Sequence, residues 1–210
     1  MPKGSEELTK ERENEIIDAC KKLYRTKSFK EITIKEIGKT TSFTRTSIYN
    51  YFQTKEEIFL ALLGREHEAW AADLRGILDR YDCLSAAEFA GELAHTLERR
   101  GCMLKLMSMN LYDMEGNSRI ENLVAFKKIY SNAMQTVICC LEKVFSPRMT
   151  AADIQEFLYA FFPFMFGVYP YTTATDKQKK AMQLAHVDYV HYSIYEITES
   201  FVTKLLQNFQ

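Results

Sequence analysis

The chain has 210 residues, 47% apolar and 26% charged, with a mean hydropathy of −0.25. That balance fits a soluble globular protein of one or two domains and excludes a disordered or membrane-spanning chain. The formal net charge of −1 conceals an asymmetry: residues 1–55 carry 12 Lys+Arg against 8 Asp+Glu, whereas residues 56–210 carry 15 against 20. Between Lys21 and Lys55 nine basic residues face only Glu31 and Glu36, so this end, and not the remainder, is suited to a polyanion.

No apolar run follows the opening MPKGSEELTKERE, which argues against a secretory leader. The most apolar run, Phe157 to Val168, is interrupted by Pro163 and Gly167 and is too short for a hydrocarbon layer of about 30 Å. A cytoplasmic protein without membrane association is expected. Cys20, Cys83, Cys102, Cys139 and Cys140 form an odd set without CxxC spacing, which reads as reduced, mostly buried thiols.

Taken in order, the chain is dominated by helical periodicity, and the fold class expected is all-α. Ile16, Cys20, Leu23 and Tyr24 predict an amphipathic first helix over residues 9–27. Phe29, Ile32, Ile34 and Ile37 continue an apolar set suited to a three-helix core. Ser or Thr followed three residues later by an acid or amide recurs at Thr33/Glu36, Thr54/Glu57, Ser85/Glu88, Ser118/Glu121, Thr150/Asp153 and Thr175/Gln178. Such pairs satisfy the free N–H groups at helix starts. With the first helix, one near 44–51 and a short one near 102–109, the count is about nine.

The fourth helix, from Thr54 to about Asp79, is long enough to enter the body of the protein. Its early residues Ile58, Phe59, Leu62 and Leu63 pack on the small module, and Trp70, Leu74 and Ile77 pack further on. Leu123, Phe126, Tyr130, Ala133, Val137, Cys140 and Val144 alternate steps of three and four along a helix of the bundle type. Ile154, Phe157, Phe161, Met165 and Val168 line the eighth helix, expected to kink at Pro163 and to end at Pro170. Leu184, Val187, His191, Ile194, Thr198, Phe201 and Leu205 line the ninth. Further apolar residues beside both stripes, such as Leu158, Phe162 and Phe166, suggest a second buried face and self-association through these last two helices.

Residues 33–55 read TIKEIGKTTSFTRTSIYNYFQTK: two short helical patterns around a polar turn, the second polar where a core helix is aliphatic. A recognition helix in the major groove needs short polar side chains to approach base edges, with aromatic or basic groups beside them for phosphates. Arg45, Thr46, Ser47, Tyr49, Asn50 and Tyr51 supply those chemistries within two turns. Asn50 suits adenine and Arg45 guanine, contacts worth roughly 1 to 3 kcal/mol each. Ile48 and Phe52 are read as core.

The stretch ITIKEIGKTTSFTRTSIYNYFQTKEEIFLALL, with Ile48, Tyr49, Phe52, Lys55, Glu56, Glu57, Ile58 and Phe59, resembles the TetR family of bacterial transcriptional regulators over roughly residues 12–63. Two positions depart from that pattern: Ser42 stands where members carry Gly, which implies a cost for positive φ, and Gly38 stands where Ala is usual.

The resemblance implies a helix-turn-helix DNA-binding domain over residues 1–53 and a helical ligand-binding and dimerisation domain over 54–210. It implies phosphate contacts from Thr33 and Lys55, a double-stranded DNA operator as partner, and a homodimer. It also implies an inducer pocket, for which the sequence offers a Met-rich and aromatic interior: Met103, Met107, Met109, Met134 and Met165 with Phe126, Tyr130, Phe161 and Phe164. Thioethers and aromatic faces suit an apolar or cationic ligand, though the same residues also read as plain core.

No metal, cofactor or catalytic set is expected. His186 and His191 are five apart on the predicted ninth helix, without HExxH. Adjacent Cys139 and Cys140 diverge by about 100° around a helix. No phosphate loop, GxSxG elbow or nucleophile setting is present. The reading is a ligand-responsive repressor released from a palindromic operator. Two others stay open: a helical binding protein that has lost DNA recognition, and an all-α enzyme, which has no residue set to carry it.

Overall fold

The computed structural model describes residues 3–209, so Met1 and Pro2 of the opening stretch lie outside it. Among the described residues there is no strand, and ten α-helices follow one another. They are α1 (Lys3–Tyr24), α2 (Ile34–Gly38), α3 (Arg45–Ile48), α4 (Lys55–Arg80), α5 (Ala86–Glu98), α6 (Gly101–Gly116), α7 (Ile120–Phe145), α8 (Ala151–Thr172), α9 (Asp176–Leu184) and α10 (Ile194–Leu205). The all-α expectation holds, with one helix more than the sequence indicates.

The extra helix comes from a break in the predicted ninth. α9 closes where His186 takes a left-handed φ of 53°. There the Val187 N–H reaches back to Met182 O at 2.9 Å and the His186 N–H to Gln183 O at 3.3 Å. This is the hydrogen-bond pattern of a Schellman stop, with histidine where glycine is usual. α10 then starts from a capping box in which Ser193 accepts the Glu196 N–H and Glu196 accepts the Ser193 N–H. Leu184, Val187 and His191 are therefore exposed and lie off α10, and no single apolar stripe runs from 184 to 205.

Reciprocal boxes form at Ser85/Glu88, Thr150/Asp153 and Thr175/Gln178 as read from the sequence. At Thr33 and Thr54 the hydroxyl accepts the N–H of Glu36 and Glu57, but each carboxylate is used elsewhere: Glu36 on Lys27 at 2.6 Å, and Glu57 on Gln53 and Arg119. Ser118 is not the cap of α7, which starts only at Ile120; its hydroxyl donates to Met114 O at 2.6 Å at the end of α6, which is longer than expected. α8 carries Pro163 and Pro170 within its length and runs on to Thr172. The Thr172 hydroxyl donates to Val168 O and Tyr169 O, closing that last turn.

The chain divides into two compact units, one of Met1–Arg65 with Asn110–Ile129, the other of Glu66–Met109 with Tyr130–Gln210. In the first unit, Ile16, Cys20 and Tyr24 of α1 are buried together with Phe29, Ile32, Ile37, Ile48 and the α4 residues Ile58, Phe59, Leu62 and Leu63. Phe59 meets the ring of Tyr24 edge-on at 5.2 Å and that of Phe29 at 4.7 Å. In the second, Trp70 is fully enclosed, its Nε1–H donating to Thr96 Oγ1 at 2.9 Å. Phe157, Phe161 and Phe164 of α8 stack in series and end on Phe201 of α10 at 4.2 Å. Leu158 and Phe162 are already buried within the chain. The apolar residues that α8 exposes are instead Tyr159 and Tyr171.

Candidate nucleic-acid interface

α2 and α3 are short, so their pose comes from anchoring. Ile34, Ile37, Ile48 and Phe52 are buried, and they turn the remaining side chains of α3 outward. The recognition segment expected over 44–51 is one α-helical turn, Arg45–Ile48, continued by tighter turns in which Asn50 N–H bonds to Ser47 O and Tyr51 N–H to Ile48 O. Gly38 has a positional reason: a Cβ there would lie 3.3 Å from the Arg45 backbone, so its absence lets α2 approach α3. Ser42 does not pay the expected conformational cost, since His186 is the one non-glycine residue with positive φ among those described.

Arg45, Thr46, Tyr49 and Asn50 are exposed, while Ser47 and Tyr51 are half-buried. Arg45 Nη2 donates to Tyr49 Oη at 3.0 Å, with its guanidinium 5.6 Å from that ring's centre. The pair forms a preassembled cationic and aromatic group on an open face. Ser47 Oγ lies 3.2 Å from Thr44 Oγ1. Tyr51 Oη accepts from Arg12 Nη1 at 3.2 Å. Thr33 is exposed and its oxygen caps α2. Lys55 is half-buried; its ammonium donates to Phe29 O at 2.8 Å and sits 4.2 Å over the Phe29 ring.

Beneath this face a carboxylate joins three elements of the unit. Glu57, 1% exposed, accepts from the Gln53 N–H at 2.7 Å and from Arg119 N, Nε and Nη2 at 3.1, 2.6 and 3.0 Å. Arg119 Nη2 also donates to Tyr51 O at 3.3 Å, and Thr54 Oγ1 donates to Asn117 O at 3.0 Å. The turn between α6 and α7 is thus tied to the junction between α3 and α4. Burial works to raise the Glu57 carboxyl, but hydrogen bonds from the Arg119 side chain and the two N–H groups outweigh it and hold it below the ordinary carboxylate range.

Of the candidate ligand residues, Met103, Met107, Tyr130, Met134, Phe161 and Met165 belong to the second unit and Phe126 to the first. Met103, Met107, Phe161 and Met165 are buried, and Tyr130 and Met134 half-buried. Tyr130 meets His67 and Phe162 edge-on at 5.6 Å each, and Trp70 lies 6.4 Å from Phe161. Met109 is 61% exposed and is no part of an interior. The five cysteines are free, two buried, two half-buried and Cys83 exposed. Their burial is less complete than the sequence reading has it. Among the described residues no group of three or more His, Cys, Asp or Glu is placed to hold a metal ion, and no helix is long and apolar enough to cross a membrane.

Residues 16–62 match the family model described as bacterial regulatory proteins, tetR family, and residues 64–207 match that described as tetracyclin repressor-like, C-terminal domain. The chain belongs to the TetR family. It is 32% identical over 62 residues to the HTH-type transcriptional regulator YfiR of Bacillus subtilis (strain 168), a match that covers 30% of each protein. Among solved structures it is similar in fold to the fatty acid degradation regulator FadR from Bacillus halodurans, with a TM-score of 0.58 and 13% identity over 93% of this chain and 94% of that one. A TetR family transcription regulator from Marinobacter aquaeolei VT8 aligns over 92% and 94% at 11% identity, with a TM-score of 0.43.

Three residues of this TetR-family chain that bond to the candidate interface or its support carry no mark in the sequence. Arg12, Glu15 and Arg119 lie 39, 27 and 62 positions from their partners Tyr51, Ser42 and Glu57, and no local pattern marks pairings at such range. The one available signal is that Arg12 and Glu15, three apart, share a face of α1.

Proposed function

We propose that this TetR-family regulator is a homodimeric, ligand-responsive repressor that leaves a palindromic operator when a small molecule binds. The observation that carries the reading is the open face of Arg45, Thr46, Tyr49 and Asn50, mounted on a turn whose opposite side, Ile48 and Phe52, is buried. Arg45, Thr46, Ser47 and Asn50 read base edges, and Tyr49 and Tyr51 with Thr33 and Lys55 hold phosphates. Residues 1–53 serve DNA and 54–210 serve ligand and partner. α8 and α10 carry the dimer contact, with Tyr159 and Tyr171 as its exposed apolar groups. Two recognition segments then enter successive major grooves about 34 to 36 Å apart.

The ligand is apolar or cationic, received by the Met-rich and aromatic residues of the second unit, Met103, Met107, Tyr130, Met134, Phe161 and Met165. DNA and ligand weaken each other's binding by the same factor, as linkage requires. The protein works in the cytoplasm, and neither catalysis nor a cofactor is part of the proposal.

Selection of genomic fragments on the purified protein, followed by binding titrations at several salt concentrations and a ligand screen for release, tests it. A single palindromic site with affinity falling steeply with salt is expected. Binding of all duplexes alike, or of none at low salt, overturns it.

A further inference from the structure

α3 spans four residues, and one helical turn has no cooperativity of its own, because fixing the first turn costs more order than a single hydrogen bond returns. Ile48 and Phe52 pin one side of it. On the side facing α1 there is instead a half-open cleft of about 380 Å³, lined among others by Arg12, Glu15, Ser42, Phe43, Ser47 and Tyr51. Apolar packing there amounts to the tilted Phe43–Tyr51 ring pair at 6.5 Å, and the cleft leaves the rest of that side open.

Two polar tethers cross this cleft, one at each end of α3. Before α3, the Glu15 carboxylate accepts both the Ser42 backbone N–H, on Oε1, and the Ser42 hydroxyl, on Oε2 at 3.0 Å. After α3, Arg12 Nη1 donates to Tyr51 Oη at 3.2 Å. The Ser42 backbone is not left-handed, so the turn has a conformation open to any residue and is held by the acid on α1. Thr41 ties the same turn to itself, donating to Gly38 O and Phe43 O at 3.2 and 3.0 Å, while Ser42, through both its N–H and its hydroxyl, attaches the turn to α1.

From this geometry we infer that Glu15, supported by Arg12, is a positioning residue for DNA recognition: it fixes the α2–α3 turn and thereby the angle at which Arg45, Thr46 and Asn50 meet the groove. The inference rests on the DNA-binding function proposed above. It also makes a prediction opposite in sign to simple electrostatics. An acid beside a phosphate backbone repels it, so on charge alone removal of Glu15 strengthens binding to every duplex. A brace lost weakens binding to the specific site.

The test uses the full chain as wild type, Glu15→Ala, Glu15→Gln, Ser42→Ala and the double variant Glu15→Ala with Ser42→Gly. Each is titrated with the operator duplex recovered by genomic selection and with a random duplex of equal length, at two salt concentrations, beside a thermal melt. Absence of any specific site for the wild type removes the DNA-binding function itself; the inference is judged on the variants once the wild type shows one.

Glu15→Ala is expected to lower the ratio of specific to random affinity by roughly tenfold, the scale of one charge-assisted hydrogen bond, with random binding unchanged or tighter. Glu15→Gln, whose amide oxygen still accepts the Ser42 N–H, recovers most of the ratio. Ser42→Ala, which loses one of the two bonds, falls between them. Glycine at position 42 restores part of the loss in the double variant, because the turn can then form without the brace. The inference is overturned if Glu15→Ala binds the operator as well as or better than wild type, or if specific and random binding fall together with the melting temperature. Should Glu15→Ala melt below the assay temperature, unchanged ratios in both Glu15→Gln and Ser42→Ala overturn it equally.

Discussion

With Lys55 holding phosphate as proposed, the layered contact of Phe59, Phe29 and Lys55 should make stability and DNA affinity fall together when its lowest member is removed. Phe59 is fully buried, with Tyr24 at 5.2 Å and Phe29 at 4.7 Å, and Phe29 in turn holds the Lys55 ammonium by its carbonyl and its ring. Truncating a fully buried phenylalanine to alanine costs about 3–5 kcal/mol in lost transfer energy and residual cavity. Phe59→Leu keeps most of the volume and loses mainly the two ring pairs, each worth about 0.5–1.5 kcal/mol beyond area.

For a chain of this length 1 kcal/mol moves the melting temperature by roughly 2–4 °C, so Phe59→Ala should melt about 6–20 °C lower and Phe59→Leu about 2–12 °C lower. Urea titrations followed by circular dichroism give the free energies, and operator binding well below both transitions gives the second readout. Loosening of Phe29 should weaken operator binding in the folded Phe59→Leu protein as well, since Lys55 loses its seat. A loss under 1 kcal/mol for Phe59→Ala would refute the assignment of this contact as core. Leucine at 59 with full operator affinity would refute the link to Lys55.

Other outcomes follow from single residues. The Glu57 carboxyl lies below its ordinary range when folded, so its stabilising share is complete at neutral pH and is lost as pH falls through the carboxylate range below about 4.3. Urea midpoints from pH 7 to 3 should decline more steeply for wild type than for Glu57→Gln, and equal slopes would count against the Arg119 tie. Asn50→Ala should lose about 1–3 kcal/mol at the operator and relax preference at one base pair, visible in a competition against single-base variants. Tyr159→Glu combined with Tyr171→Glu should shift sedimentation from dimer to monomer; an unmoved dimer would place the contact elsewhere.

The sequence is most readable where the determinant is local. Capping at Ser85, Thr150 and Thr175 and the apolar periodicity of α4, α7 and α8 depend on residues within one or two turns, and those elements form where the pattern puts them. The polar outer side and buried inner side of the recognition segment are legible for the same reason. Failures arise where a signal is absent or distant. His186 ends α9 in a conformation usually advertised by glycine, so the predicted ninth helix runs through the stop. Ser118 has the spacing of a cap, yet α6 runs on to Gly116 and α7 starts only at Ile120, so the first turn lies one residue too far along. Glu57 and Glu36 look like capping-box acids, but their carboxylates are drawn to a guanidinium 62 positions away and an ammonium nine positions away, partners that no local spacing announces.

Trp70 is the chain's single tryptophan, and it is sealed inside the second unit against Phe161, Phe162 and His67. Excited at wavelengths too long for tyrosine to absorb, the molecule's emission therefore comes from one address. With no indole in the helix-turn-helix, operator binding has no tryptophan beside it to report on it. A molecule lodging among the surrounding rings would change the colour or yield of that one emitter directly, without a label.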